Sequence, residues 1–100
     1  MIIVRNVFRL KFGKAKEVKA IMQDSKKIMN ESQLKNSRVL FDVVGPAYTM
    51  VLENSYGSLA DFEKEMSTMF SKPEWGAWYQ RLTPLVEQSY REVFSVMEYV

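Results

Sequence analysis

The chain has 100 residues, 47% of them hydrophobic and 13% aromatic, with 14 Lys and Arg against 12 Asp and Glu for a net charge of +2. That is one globular domain, short enough that much of its surface stays exposed unless it pairs with another subunit. With no cysteine and no histidine, the chain excludes disulfides, thiolate nucleophiles, the usual zinc ligand sets and the side chain that most readily moves protons near neutral pH.

Ile2 to Phe12 alternates as a strand does, with Ile2, Val4, Asn6, Phe8 and Leu10 on one side and Ile3, Arg5, Val7, Arg9 and Lys11 on the other. This opening lacks the basic start, apolar run and small-residue cleavage site of a secretory signal, so a cytoplasmic protein is expected. Gly13 ends the strand and the period then lengthens. From Lys14 to Asn30, Ala15, Val18, Ile21, Met22, Ser25, Ile28 and Met29 recur every three or four residues, which predicts an amphipathic helix. Lys11, Lys14, Lys16 and Lys19 form the densest basic cluster, but on such a helix they read as a solvated face, and nucleic acid is not an expected partner. Asn30 to Ser37 is polar and predicts a surface loop pinned by Leu34.

Arg38 to Val44 and Tyr48 to Tyr56 are rich in β-branched and aromatic residues, and Gly45-Pro46-Ala47 between them predicts an antiparallel hairpin. Gly57 stops the second strand. Ser58, three residues before Asp61, resembles a capping box, with Asp61 and Glu63 well placed against the positive end of a helix dipole. The helix it opens has Leu59, Phe62, Met66, Met69 and Phe70 as its inward stripe and Glu63, Lys64 and Ser67 toward water. Ser71-Lys72-Pro73-Glu74 repeats the start signal with Ser71 as the cap; Trp75, Trp78, Tyr79 and Leu82 follow on a third helix, which Pro84 either bends or ends near Leu82. Ser89 to Val100 alternates again, with Tyr90, Glu92, Phe94, Val96 and Glu98 opposite Arg91, Val93, Ser95, Met97 and Tyr99.

No segment approaches the roughly 20 apolar residues of a membrane-spanning helix, so no membrane association is expected. The order strand, helix, strand, strand, helix with a helical extension, strand is solved economically by an α+β, ferredoxin-like domain over residues 1–100, a four-stranded antiparallel sheet with helices on one face. The other face then carries Arg5, Val7, Arg9, Asp42, Val51, Glu53 and Ser95, too apolar for open water and too charged for an ordinary core. A second copy packed sheet to sheet would cover it, which predicts a homodimer enclosing a polar-lined cavity for a small aromatic or anionic ligand.

The strings L-x-x-F-E-K-E-M, P-E-W-x-x-W-Y-x-x-L-x-P-L-V-E and S-Y-R-E-V-F-S-V, within Leu59 to Val96, resemble the carboxyl half of dimeric α/β-barrel proteins, in particular the NIPSNAP-like group and the antibiotic biosynthesis monooxygenases. The resemblance implies a homodimer whose two sheets close a barrel, and relatives that range from cofactor-independent oxygenases and heme-degrading enzymes to proteins without assigned activity. Heme-degrading relatives use an asparagine on the first strand, a tryptophan and a histidine. Asn6 and Trp75 or Trp78 match the first two, but the histidine is missing. By residue type, Asn6, Tyr48, Trp78 and Arg91 correspond to side chains with which the oxygenases hold an aromatic substrate.

Residue by residue, the plainer readings are packing for Trp75, Trp78 and Tyr79, core filling for the methionines, and an ion-pair network at the dimer interface for Arg5 and Arg9 with Asp42, Glu53 and Glu92. The candidate ligand-binding set is therefore Arg5, Asn6, Arg9, Tyr48, Trp78 and Arg91, with no catalytic residue, metal or cofactor assigned. Gly13 and Gly57 stand alone at element ends and form no phosphate loop. Small-molecule binding is the leading functional expectation. Oxygenase or isomerase chemistry without a cofactor, and a purely structural or protein-interaction role, are the alternatives; the last predicts a filled interior, so cavity volume separates it from the others.

Overall fold

The computed structural model of the chain describes residues 1–99. The elements, in order, are β1 (Ile2–Leu10), α1 (Ala15–Asp24) with a 3-10 turn at Ser25–Ile28, α2 (Glu31–Lys35), β2 (Ser37–Phe41), β3 (Thr49–Tyr56), α3 (Leu59–Phe70), α4 (Pro73–Leu82) with a 3-10 turn at Thr83–Leu85, and β4 (Val86–Ser95). The strands form one four-stranded sheet in the order β2-β3-β1-β4, every neighbouring pair antiparallel, which is the expected ferredoxin-like topology. No helix among the described residues is long and apolar enough to cross a membrane.

Register decides which side chains share a face. Asn6 lies opposite Leu52 on β3 and Arg91 on β4, while Phe8 lies opposite Met50 and Ser89. The even residues of β1 and β3 therefore join the odd residues of β4 on one side. This side is covered: Phe8, Leu10 and Met50 pack with Val18 and Ile21 of α1 and Leu82 of α4. Each such side chain contributes about 1.5–3 kcal/mol of burial, so the core is concentrated where α1 and α4 cross the sheet. The other side carries Arg5, Val7, Arg9, Val51 and Glu53 as expected. Ser95 does not belong with them, because its pairing with Ile2 puts it on the covered side with Arg91 and Val93.

The departures from the expected boundaries have local causes. The first helix stops at Asp24 and tightens into a 3-10 turn, where the Ser25 hydroxyl donates to the Met22 carbonyl at 2.6 Å. The expected loop contains α2 instead: Asn30 accepts from the Gln33 N–H at 2.8 Å and Gln33 accepts from the Asn30 N–H at 2.8 Å, a complete capping box. Leu34 is 40% exposed there, and the buried residue of α2 is Gln33. Strand β2 ends at Phe41, and the Asp42 carboxylate accepts from the Thr49 N–H at 2.8 Å, so the hairpin turn is wider than Gly45-Pro46-Ala47 and leaves Val43 and Val44 outside the sheet.

Ser58 caps α3 by accepting from the Asp61 N–H at 3.2 Å. Ser71 does not cap α4. Its hydroxyl donates back to the Thr68 carbonyl at 2.7 Å, Lys72 occupies the cap position without a side-chain bond, and Pro73 supplies the preset first turn. Strand β4 begins at Val86, straight after the Pro84 turn, and ends at Ser95; Val100 lies outside the described residues.

Candidate functional site

Helix α3 buries none of its residues, although its apolar stripe faces the sheet. Phe62, Met66 and Met69 are only half-buried, and a half-open cavity of about 910 Å³ lies between Met66 and Met69 and the strands. The floor of this cavity comes from the covered face of the sheet, with Asn6 on β1, Asn54 and Tyr56 on β3 and Arg91 on β4. Its walls include Met22 from α1, Met29 from the link to α2, Met66 and Met69 from α3, and Trp75 and Trp78 from α4.

The floor groups touch one another. The Arg91 Nε donates to the Asn6 Oδ1 at 2.7 Å, and the guanidinium carbon lies 5.2 Å from the centre of the Phe62 ring. Phe62 in turn meets Tyr56, ring centres 5.3 Å apart. Burial, above all, pushes the Tyr56 hydroxyl well above its ordinary range, and a hydrogen bond to the Glu65 carboxylate and that carboxylate's charge add to the shift; Asn54 and the positive charge of Arg91 oppose it. Tyr56 thus keeps its proton at neutral pH and stands as a neutral group among the charges of Glu65 and Arg91.

The aromatic wall is fixed in two ways. Trp78 donates its indole N–H to the Ile21 carbonyl at 2.8 Å, tying α4 to α1 and anchoring one end of the cavity to the core. Trp75 stacks on Tyr79 with ring centres 4.8 Å apart and meets the edge of Phe70 at 4.7 Å. Packing, as expected for these residues, thus coexists with a position on the cavity wall. Among the described residues, no cluster of three or more acidic side chains could hold a metal ion.

The six candidate residues fall into three places. Asn6, Trp78 and Arg91 meet at this cavity. Arg5 and Arg9 lie across the sheet, at a smaller hollow of about 510 Å³ on the uncovered face that also includes Asp42 and Glu92. There Glu53 bridges Arg5, at 3.8 Å, and Arg38, while Arg9 pairs at 3.6 Å with Glu87, which the bulge at the start of β4 brings within reach, and not with Asp42. Tyr48 lines neither space. It sits at the turn into β3 with φ 60, its ring 5.1 Å from that of Phe12.

A cavity of this size therefore lies beneath the helices, on the covered side of the sheet. Sequence reading missed Asn54, Tyr56 and Glu65. The signal for the first two was parity: they share the face of Met50 and Leu52, where a polar side chain interrupts an apolar row.

Residues 5–100 match the model of the NIPSNAP family. The chain belongs to that family. Its fold is similar to a NIPSNAP family protein from Agrobacterium tumefaciens, at 20% identity, TM-score 0.87, covering 98% of this chain and 94% of that one. It is also similar to an uncharacterised NIPSNAP-like domain protein from Burkholderia xenovorans, at 17% identity and TM-score 0.87, with 99% and 87% of the two chains covered. An antibiotic biosynthesis monooxygenase shares the fold at 11% identity and TM-score 0.72, covering 98% of this chain and 100% of the other. No curated protein matches the chain.

Proposed function

We propose that this NIPSNAP family protein holds a small molecule in the cavity between its sheet and helices α3 and α4, and that it works as a homodimer joined through the uncovered sheet face. The observation that carries the ligand reading is the polar floor. Asn6, Asn54, Tyr56 and Arg91 occupy the covered side of the sheet, where a chain that had only to fold would place apolar side chains. A volume of about 910 Å³ falls within the range of small-molecule sites, and a purely structural role would be better served by a filled interior.

The dimer reading is supported by the opposite face. Ile3, Val7 and Leu40 lie there around Glu53, which is only 16% exposed, and the enclosed Nε of Arg5 has no hydrogen-bond partner. A second sheet would cover the apolar residues and offer that donor an acceptor. Native mass spectrometry of the gently purified protein tests both readings. A dimer is expected, with an added small mass or with uptake of a molecule from a mixture of small aromatic and anionic compounds. A monomer at micromolar concentration would remove the dimer, and a bare mass that no compound changes would remove the ligand.

One observation favours a second reading. Asn6, Arg91 and Tyr56 meet in one half-open cavity, an arrangement suited to holding an aromatic compound while O2 oxidises it without a cofactor, as the structural likeness to an antibiotic biosynthesis monooxygenase suggests. Substrate-dependent O2 consumption that falls in Asn6→Ala would favour turnover; aromatic compounds recovered unchanged would leave binding alone.

A further inference from the structure

The chain has five arginines, and four have a carboxylate partner: Arg5 and Arg38 share Glu53, Arg9 has Glu87 and Arg81 has Asp24. Arg91 is the exception. Among the described residues no carboxylate lies within salt-bridge distance of it, and its one hydrogen bond, from Nε, goes to the neutral amide oxygen of Asn6. The amide fixes the plane of the guanidinium without cancelling its charge. Phe62 lies against the guanidinium, Arg91 lines the cavity, and among the described residues its two Nη groups make no hydrogen bond.

An oriented guanidinium with an unused pair of donors is the usual receptor for a planar anion. The rest of the cavity limits what that anion is attached to. Four of the seven methionines, Met22, Met29, Met66 and Met69, line it, and with Trp75 and Trp78 they make an adaptable apolar wall. The Glu65 carboxylate on the same cavity repels a second negative charge.

We infer that the ligand is a monocarboxylate on an apolar body, its carboxylate received by the Arg91 fork and its body lying along the methionine and tryptophan wall. This rests on the ligand-binding reading above and narrows it. Asn6 acts as a positioning residue that presents the guanidinium edge-on to the cavity.

The test uses the full chain and three eight-carbon probes: octanoate, the neutral octanamide and the doubly charged octyl phosphate. Quenching of Trp75 and Trp78 fluorescence reports occupancy, and calorimetry gives affinity. Octanoate is expected to bind at least about tenfold more tightly than either of the others. Arg91→Gln should remove that preference by weakening octanoate far more than octanamide, Arg91→Lys should restore only part of it, and Asn6→Asp should weaken octanoate by placing a competing carboxylate on the fork. Circular dichroism confirms that each variant is folded, and because Arg91 is solvent-accessible its substitution leaves the core intact. Equal affinity for octanoate and octanamide, unaffected by Arg91→Gln, would overturn the carboxylate assignment and leave the ligand cavity standing. Tighter octyl phosphate would overturn it in favour of a dianion. No response to any probe would bring down the carboxylate and the cavity reading together.

Discussion

Where α1 and α4 cross the sheet, Val18, Met50 and Leu82 are closed off almost completely, at 0%, 0% and 1% exposure. Where α3 crosses it, the same kind of apolar stripe is half-exposed and faces Asn6, Asn54, Tyr56 and Arg91 across a cavity. Both helix faces have the helical period that normally signals a core. What separates them is the strand opposite: α1 and α4 meet Phe8, Leu10 and Met50, whereas α3 meets polar groups that cannot be dried without partners. The closed core is thus concentrated at one end of the sheet and the open cavity at the other, with Trp78 joining the two through its bond to Ile21.

The sharpest way to break this comparison is a pair of truncations. Leu82→Ala should cost about 3 kcal/mol, since a side chain in a closed core leaves both lost contacts and a void. Met66→Ala, on a wall that already borders open space, should cost less than about 1 kcal/mol. Denaturant unfolding of the two variants at neutral pH decides it. Similar losses would mean that α3 closes onto the sheet in solution, and the cavity would then be a gap that fills.

The same contrast explains what could be read from the sequence. The element order, sheet face and hairpin followed from periods of two and of three to four, which depend on burial against a neighbour and survive errors of a residue or two at the ends. The cavity did not follow, because Phe62, Met66 and Met69 show the same periodicity whether they touch the sheet or stand off from it. Trp78 was legible as packing, yet its position on the cavity wall depends on the long-range bond to Ile21. Asn6 and Arg91 were picked out by residue type, but the 2.7 Å contact joining them depends on the register of β1 with β4. The register of Ser95 with Ile2 was likewise set by pairing and not by alternation alone.

Helix α2 was missed for a different reason. At five residues it is too short to show a period, and only its cap marks it. That cap gives the next largest expected effect: Asn30→Ala removes one half of the reciprocal pair with Gln33 and should cost about 1 kcal/mol, with Asn30→Ser recovering most of it. Thermal unfolding of both variants checks this. If Asn30→Ala melts with the parent, α2 is held by its neighbours and the cap is incidental.

The smallest effect probes the open end of the sheet directly, through Tyr56. Its hydroxyl in the folded protein ionises well above the ordinary value of 10.0, mainly because it is buried and secondly because of its bond to Glu65. The sign follows from which state keeps the proton. As pH rises through 10, the unfolded chain loses it while the folded chain retains it, so the unfolded state is favoured and the stability present below pH 10 declines. At pH 10 the unfolded tyrosine is half ionised, which amounts to at most about 0.4 kcal/mol, reduced further by solvent reaching a half-buried group. Tyr56→Phe removes this contribution, so its stability should fall less steeply than the parent's between pH 9 and 10.5. A ligand that fills the cavity deepens the burial of the hydroxyl and should steepen the parent's curve without touching that of the variant. Parallel curves for parent and variant, with and without ligand, would place Tyr56 in open water, and the floor of the cavity with it.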